Sequence, residues 1–165
     1  MRFINPIAKQ SDEECLRTLR ELRSWVRELS SVDKRLSYIT RYAVITTSGA
    51  LERSFKTIIA DYVTHGEPAY IDEYVTRTLR RSSMNPSVEA IVKTLVQFDS
   101  GWKDSFNRAI NSLPHGARDK DALTSLVEIR NKIAHGAPVI VSFNDVVQYY
   151  VHARNVVAQL EVVLR

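Results

Sequence analysis

An arginine, an asparagine and a histidine lie close together where an apolar helical pattern ends, in the stretch EIRNKIAHG at 128–136. Asn131 and His135 are four residues apart, so on a helix they share a face and the asparagine can orient the imidazole. Arg130 points about 100° away from Asn131 around the helix axis. Arg130 and His135 therefore converge only if His135 moves at a frayed helix end or if a second chain completes the site.

These residue types suit the cleavage of RNA. Histidine titrates near neutral pH, so it can take a proton from a ribose 2′-hydroxyl or give one to the leaving 5′-oxygen. Arginine stays charged and can bind two phosphate oxygens at once. Because the 2′-hydroxyl is an internal nucleophile, we expect no metal or other cofactor, a 2′,3′-cyclic phosphate product, and no reaction with DNA. A two-fold dimer with facing helix ends would bring two arginines and two histidines into one cleft.

The same residues also fit an ordinary helix end. Basic side chains near a helix C-terminus interact favourably with the macrodipole, by about 0.3–1 kcal/mol each. Gly136 is a common terminating residue, and Pro138 follows it. Physical arguments alone favour this interpretation, because short motifs recur by chance.

Length and composition indicate one domain over residues 1–165. The hydrophobic fraction of 44% and the charged fraction of 25% are typical of globular proteins, and no apolar run approaches the roughly 20 residues that span a bilayer. Cys15 is the only cysteine, which excludes intramolecular disulfides and cysteine-based zinc sites. The first residues lack the pattern of a secretory signal. We therefore expect a cytoplasmic protein with no membrane partner.

The positive charge of the chain is unevenly distributed. The net charge is +4 and the pI is near 9.3. Two groups of basic residues recur at close spacing: Arg17, Arg20, Arg23 and Arg27 in the first, and Arg77, Arg80 and Arg81 in the second. Either group alone fits a solvated helix face, the first partly neutralised by glutamates at 14, 21 and 28. Together they permit a polyanionic partner.

Apolar residues at helical spacing predict an all-α bundle. The helix signals, in chain order, are a capping box of Ser11 with Glu14, a start at Asp33 ended by 65–68, a start at Pro68, apolar stretches at 88–98 and 101–113, a cap at Asp119, and a restart at Ser142 with Asp145. We expect loosening of the long second helix around 46–49 and a short extended piece at 139–141.

The other histidines and the tryptophans do not suggest a second site. His65 and His115 precede glycines in turns, and His152 lies in the last helical pattern; none has partners at metal-ligand spacing. All three are interpreted as structural or surface residues. Trp25 and Trp102 are interpreted as core or interface residues.

Two segments resemble the C-terminal half of HEPN domains. They are LTSLVEIRNKIAHG at 123–136 and SFNDVVQYYVHARNVVAQLEVVL at 142–164. The HEPN signature is an arginine, four to six residues and a histidine, often with a polar residue directly after the arginine. TTSGALERSFKTIIADYV at 46–63 resembles the long HEPN helix, with Glu52 matching its acidic residue. The likeness is nearest to the groups found beside RNA ligases or in defence islands.

This resemblance implies an up-and-down helical bundle of the HEPN type, with extra helices inserted in the middle. It also implies a homodimer formed through the Arg130–His135 helices, which cleaves RNA without a metal. By position, Arg130 and His135 would be catalytic and Asn131 would orient them. Lys132 and Glu52 would bind RNA or support the site. The expected role is a toxin or phage-defence effector.

The resemblance leaves the function partly open. The alternative to a ribonuclease is a catalytically silent HEPN module that serves as an RNA-binding or dimerisation scaffold. HEPN toxins silenced by a nucleotidyltransferase carry a tyrosine three residues after the histidine, where this chain has Pro138. A different antitoxin or defence-system partner, or none, is therefore expected. Residues 65–118 match no HEPN motif.

Overall fold

The computed structural model describes residues 3–165, which form helices joined by loops, with no strand in that range. The all-α prediction is confirmed. Within these residues no helix has both the length and the hydropathy needed to cross a membrane. The helices are α1 Pro6–Arg27, α2 Arg35–Val63, α3 Ala69–Val75, α4 Val88–Val96, α5 Ser100–Asn111, α6 Gly116–Ala134, α7 Phe143–Ala158 and α8 Leu160–Val163; a π-helical turn, Thr76–Arg80, continues α3.

Four long helices, α1, α2, α6 and α7, form the main bundle. α1 packs against α2, α6 packs against α7, and α2 contacts both members of the second pair. The shorter helices α3, α4 and α5 are inserted between α2 and α6, as the sequence predicted. The largest side chains that are completely buried include Phe55 of α2, Leu126 of α6 and Tyr150 of α7. α6, which carries the motif, is therefore anchored on one side by an apolar core.

α1 begins earlier than the sequence predicted. The side-chain oxygen of Asn5 accepts hydrogen bonds from the backbone N–H groups of Ile7 and Ala8, both at 3.0 Å, and so caps the helix. Ser11 is buried inside the helix, so its predicted capping box with Glu14 is wrong. Asn5, which lies six positions before Ser11, supplies the cap instead.

α2 is helical without interruption through 46–49, so the predicted loosening is wrong. Its start lies two residues after Asp33, whose carboxylate accepts the backbone N–H of Arg35 at 2.8 Å. Within the supposed weak segment, the hydroxyl of Thr47 donates to the Ala43 carbonyl at 2.8 Å. The end of α2 at Val63 agrees with the predicted stop.

α6 begins at Gly116 rather than at Asp119. Gly116 lies so close to the preceding turn that an added Cβ would be 2.3 Å from the Ile110 carbonyl oxygen, which explains a glycine there. Asp119 is only 2% exposed, and its carboxylate lies 2.6 Å from Nδ1 of His152 on α7. The predicted cap is therefore wrong, because this aspartate joins two helices instead. His152 has the structural role that was expected.

α7 begins as predicted, whereas the segment before it does not form a strand. Ser142 and Asp145 form a reciprocal capping box. Residues 139–141 belong to the loop between α6 and α7. Trp25 is 56% exposed and so lies outside the core of this chain. Trp102 is half-buried, with its ring edge-to-face against Tyr62 at 5.5 Å.

A buried polar cluster fixes α7 against α1. The Tyr150 hydroxyl donates to Asp12 at 2.8 Å, and the Arg154 guanidinium donates to the same carboxylate at 3.0 Å. Cys15 lies next to this group, and burial raises the pKa of its thiol to about 12. Burial likewise raises the pKa of Tyr150. The cluster holds α7, and through it α6, in one orientation.

Candidate functional site

The end of α6 is closed by two backbone hydrogen bonds. The Gly136 N–H donates to the Ile133 carbonyl at 3.1 Å, and the Ala137 N–H donates to the Lys132 carbonyl at 2.9 Å. Gly136 has a φ of 69°, the left-handed conformation that glycine adopts readily. This pattern is a Schellman motif, and it confirms the predicted stop. The helix end is ordered rather than frayed, so the backbone of His135 is fixed.

The motif side chains differ in exposure and form no hydrogen bond with one another. Arg130 and Asn131 are half-buried, whereas Lys132 and His135 are exposed. In the part of the chain that the structure describes, no side-chain hydrogen bond joins Arg130, Asn131 and His135; the His135 backbone N–H donates to the Asn131 backbone carbonyl at 3.0 Å.

Arg130 is a half-buried cation without a counter-charge. The buried Lys56 and the half-buried Arg80 and Arg154 each form a salt bridge with a carboxylate at 2.7–3.0 Å. The Arg130 guanidinium has no hydrogen-bond or salt-bridge partner between residues 3 and 165. An arginine held in this way is suited to bind an external anion, because partial burial strengthens its interaction with a phosphate.

Asn131 contacts a distant loop instead of His135. The Asn85 side-chain N–H donates to the Asn131 side-chain oxygen at 2.8 Å. The two residues are 46 positions apart, and Asn85 lies in 65–118, where the sequence suggested no role. The predicted hydrogen bond that would orient the imidazole is thus not observed. Nothing in the local spacing of Asn85 indicated that it would reach the motif.

Glu52 supports that loop and does not contact the motif directly. Its Oε1 accepts the Lys56 ammonium at 2.9 Å and the backbone N–H of Met84 at 3.0 Å. Lys56 in turn donates to the Ser82 carbonyl at 2.6 Å. α2 therefore holds the chain on the N-terminal side of Asn85. Of the two predicted supporting residues, Glu52 is hydrogen-bonded to Lys56 and to the backbone of Met84, whereas Lys132 is exposed to solvent.

A groove of about 720 Å³ lies beside the end of α6. Ile133 forms part of one wall, and Ile140 and Phe143 come from the loop and the start of α7. Arg41 of α2 also lines it, half-buried and, like Arg130, without a salt-bridge partner among residues 3–165. Sequence reasoning missed Arg41, because it lies 89 residues before Arg130 and only the packing of α2 on α6 brings it to this end.

The two arginine groups differ in whether their side chains form salt bridges. In the second group, Arg77 forms a salt bridge with Glu73, and Arg80 with Asp61. In the described chain no ion pair involves the first group, on α1, so the predicted neutralisation by neighbouring glutamates is not observed. Unpaired positive charge therefore lies on α1 and at the end of α6.

Residues 3–165 contain no group of three or more His, Cys, Asp or Glu side chains arranged to hold a metal ion.

Comparison with known proteins identifies the family. The model of the family described as RiboL-PSP-HEPN matches residues 13–164. No curated protein and no solved structure matches the chain. The matched range covers α1 from residue 13 onward, the other three helices of the main bundle, the three inserted helices and the whole of the Arg130–His135 motif. The chain therefore belongs to the RiboL-PSP-HEPN family.

Proposed function

We propose that this protein is a metal-independent endoribonuclease whose site is formed by Arg130 and His135. The observation that carries the proposal is the half-buried, unpaired Arg130 on the same helix end as an exposed histidine whose backbone is fixed. HEPN domains are commonly related to ribonucleases, and family membership makes this reaction the first to consider.

The reaction is an internal transesterification. The ribose 2′-oxygen attacks phosphorus, the bond from phosphorus to the 5′-oxygen breaks, and the products are a 2′,3′-cyclic phosphate and a 5′-hydroxyl. One neutral histidine takes the 2′-hydroxyl proton, and one protonated histidine gives a proton to the departing 5′-oxygen. Arg130 stabilises the charge that develops on the phosphate oxygens. Lys132 adds a solvent-exposed cation beside the RNA backbone.

We propose that a homodimer assembles this site. A single chain supplies one histidine, whereas the reaction needs a base and an acid at the same time. Facing α6 ends of two chains would provide two copies of His135 and of Arg130 in one cleft around the two-fold axis. Arg41 in the neighbouring groove would extend the positive surface along the bound RNA.

Uncontrolled RNA cleavage would be harmful to the producing cell, so we propose a toxin or phage-defence role. A partner protein that covers the α6 end would serve as the antitoxin. Because Pro138 replaces the tyrosine that some HEPN toxins carry there, that partner would act by binding rather than by modifying this position. Expression should arrest growth, and His135→Ala should relieve the arrest.

The direct test is an RNA cleavage assay in EDTA. We expect His135→Ala to reduce the cleavage rate by about 10²–10⁴-fold and Arg130→Ala by about 10²–10³-fold, since they remove proton transfer and charge stabilisation respectively. His115→Ala and Arg118→Ala are matched controls, because both side chains are exposed at the opposite end of α6. RNA with a 2′-deoxy substitution at the cleaved position should stay intact, and the wild-type product should end in a cyclic phosphate.

The same assay separates the alternative, a catalytically silent module. One observation favours that alternative: Arg130 and His135 do not meet within one chain. A silent module would bind RNA and leave it intact, and all four variants would behave alike. Cleavage that survives in both His135→Ala and Arg130→Ala would contradict the proposed mechanism.

A further inference from the structure

Among residues 3–165, a single hydrogen bond connects the inserted region to the motif. The amide nitrogen of Asn85 donates to the side-chain oxygen of Asn131 at 2.8 Å, and this contact is partly buried. Asn85 comes from the loop 81–87, between the π-helical turn and α4. It is thus a contact from outside α6 to a side chain of the proposed site.

The loop is held firmly enough to fix the position of Asn85. The backbone N–H of Met84 donates to Glu52, and the Ser82 carbonyl accepts from Lys56. On the other side, the Ser87 N–H donates to the Asn85 carbonyl at 2.9 Å, and the Ser87 side chain caps α4. Both flanks of Asn85 are therefore tied to helices.

The buried surroundings determine which way the two amides face. The side-chain oxygen of Asn85 is buried and has no partner among the described residues. If both amides were turned over, an NH₂ group with two donors would occupy that buried position instead of one oxygen. Leaving two donors unsatisfied costs more than leaving one acceptor, so the observed direction is preferred.

This direction decides what Asn131 can offer to a ligand. An amide carries its oxygen and its NH₂ on opposite sides, so the oxygen that accepts from Asn85 leaves the NH₂ facing away from the loop. That NH₂ has no acceptor within residues 3–165. A phosphate oxygen, being negatively charged, is stabilised by an N–H donor and repelled by a carbonyl oxygen.

We propose that Asn85 is a positioning residue for RNA cleavage: it fixes the Asn131 amide so that its N–H groups, and not its oxygen, face the scissile phosphate. This inference rests on the proposed ribonuclease function. It assigns a role to part of the inserted region and makes Glu52 and Lys56 indirect supports of the same donor.

The test reverses the polarity of the contact. Asn85→Asp keeps the shape of the side chain but can only accept, so Asn131 must turn its NH₂ toward the new carboxylate and its oxygen toward the phosphate. We expect kcat to fall by about 10²-fold, the lower end of the range for loss of an oriented donor, with little change in KM or in the thermal midpoint. Asn85→Leu removes the constraint without imposing the wrong direction, so its kcat should fall less. Ser83→Asp, an exposed position in the same loop, is the control for added charge and should match wild type.

Asn131→Asp provides a second route that does not depend on the loop. This change keeps an oxygen for Asn85, removes the N–H donor and adds a negative charge beside the phosphate, so we expect normal folding and a kcat at least as low as that of Asn85→Asp. An active Asn131→Asp variant, or a folded Asn85→Asp variant with wild-type kcat, would overturn the inference. His135→Ala measured in parallel separates failure of this inference from failure of the proposed function. If His135→Ala is inactive while the Asn85→Asp and Asn131→Asp variants cleave RNA normally, only the role of Asn85 is wrong. If His135→Ala cuts as well as wild type, the proposed function itself is wrong.

Discussion

Arg130 is the residue on which the functional proposal depends most. A half-buried guanidinium loses part of its hydration, and a protein normally compensates it with a carboxylate, as Asp12 compensates Arg154 at 3.0 Å. Arg130 has no such partner among residues 3–165, whereas its neighbour Asn131 is engaged by Asn85. A bound phosphate would supply the counter-charge that Arg130 lacks.

At Cys15 the raised pKa leads to a prediction about reactivity. The thiolate is the reactive form, and the folded thiol has a pKa of about 12 against an ordinary 9.0, chiefly because of burial. At pH 8 we therefore expect the native protein to react slowly with iodoacetamide and the urea-unfolded protein to react fast. Mass spectrometry after a timed reaction measures this. Ser24→Cys, on the exposed side of α1, should add one rapidly labelled thiol, and rapid labelling of Cys15 in the native protein would contradict the prediction.

The same pKa shift fixes the sign of a pH effect on stability. Well below pH 9.0 the Cys15 thiol is protonated in both the folded and the unfolded state, so it does not make the free energy of unfolding depend on pH. Between pH 9.0 and about 12 the unfolded chain loses a proton that the folded chain retains, so the free energy of unfolding falls as pH rises. The contribution reaches up to about 1.4 kcal/mol per pH unit. Urea titrations from pH 8 to 10.5 should show a shallower fall for Cys15→Ala, and an equal or steeper fall would contradict this account.

At the scale of elements, local signals predicted some helix ends correctly and predicted tertiary contacts poorly. The capping box of Ser142 with Asp145 and the stop at Gly136 act within a few residues, so they could be recognised from the sequence. Asp119 resembled a cap because aspartate commonly occurs there, yet it is buried against His152. Asn85 reaches Asn131 only through the packing of the inserted region, and no local pattern encodes that contact.

Two glycines should respond oppositely to alanine. Gly136 has a φ of 69° in the closing turn of α6, so Gly136→Ala should lower the free energy of unfolding by about 1 kcal/mol. Gly49 lies in the middle of α2 with no atom within 4 Å of an added Cβ, so Gly49→Ala should raise stability by about 0.5–1 kcal/mol. Thermal or urea unfolding measures both. Equal effects of the same sign would contradict the assigned helix end.

At the scale of the whole molecule, the fold follows from its apolar pattern, whereas the proposed site requires more than one chain. The long helices and their order were evident from helical periodicity, and the family match over 13–164 confirms the resemblance. A regular helix separates Arg130 and His135 around its axis, and the Schellman motif keeps it regular to the end. The proposal that two chains share one cleft rests on this separation of Arg130 and His135.

Mixing wild type with His135→Ala tests this central claim most directly. After refolding an equal mixture to exchange subunits, random pairing leaves about a quarter of the dimers with two intact histidines. If each cleft needs both, the RNA cleavage rate in EDTA should be about a quarter of that of wild type at the same total concentration. A parallel mixture with His115→Ala should keep the full rate. A rate of one half would show that each chain cleaves independently, and it would contradict the shared cleft.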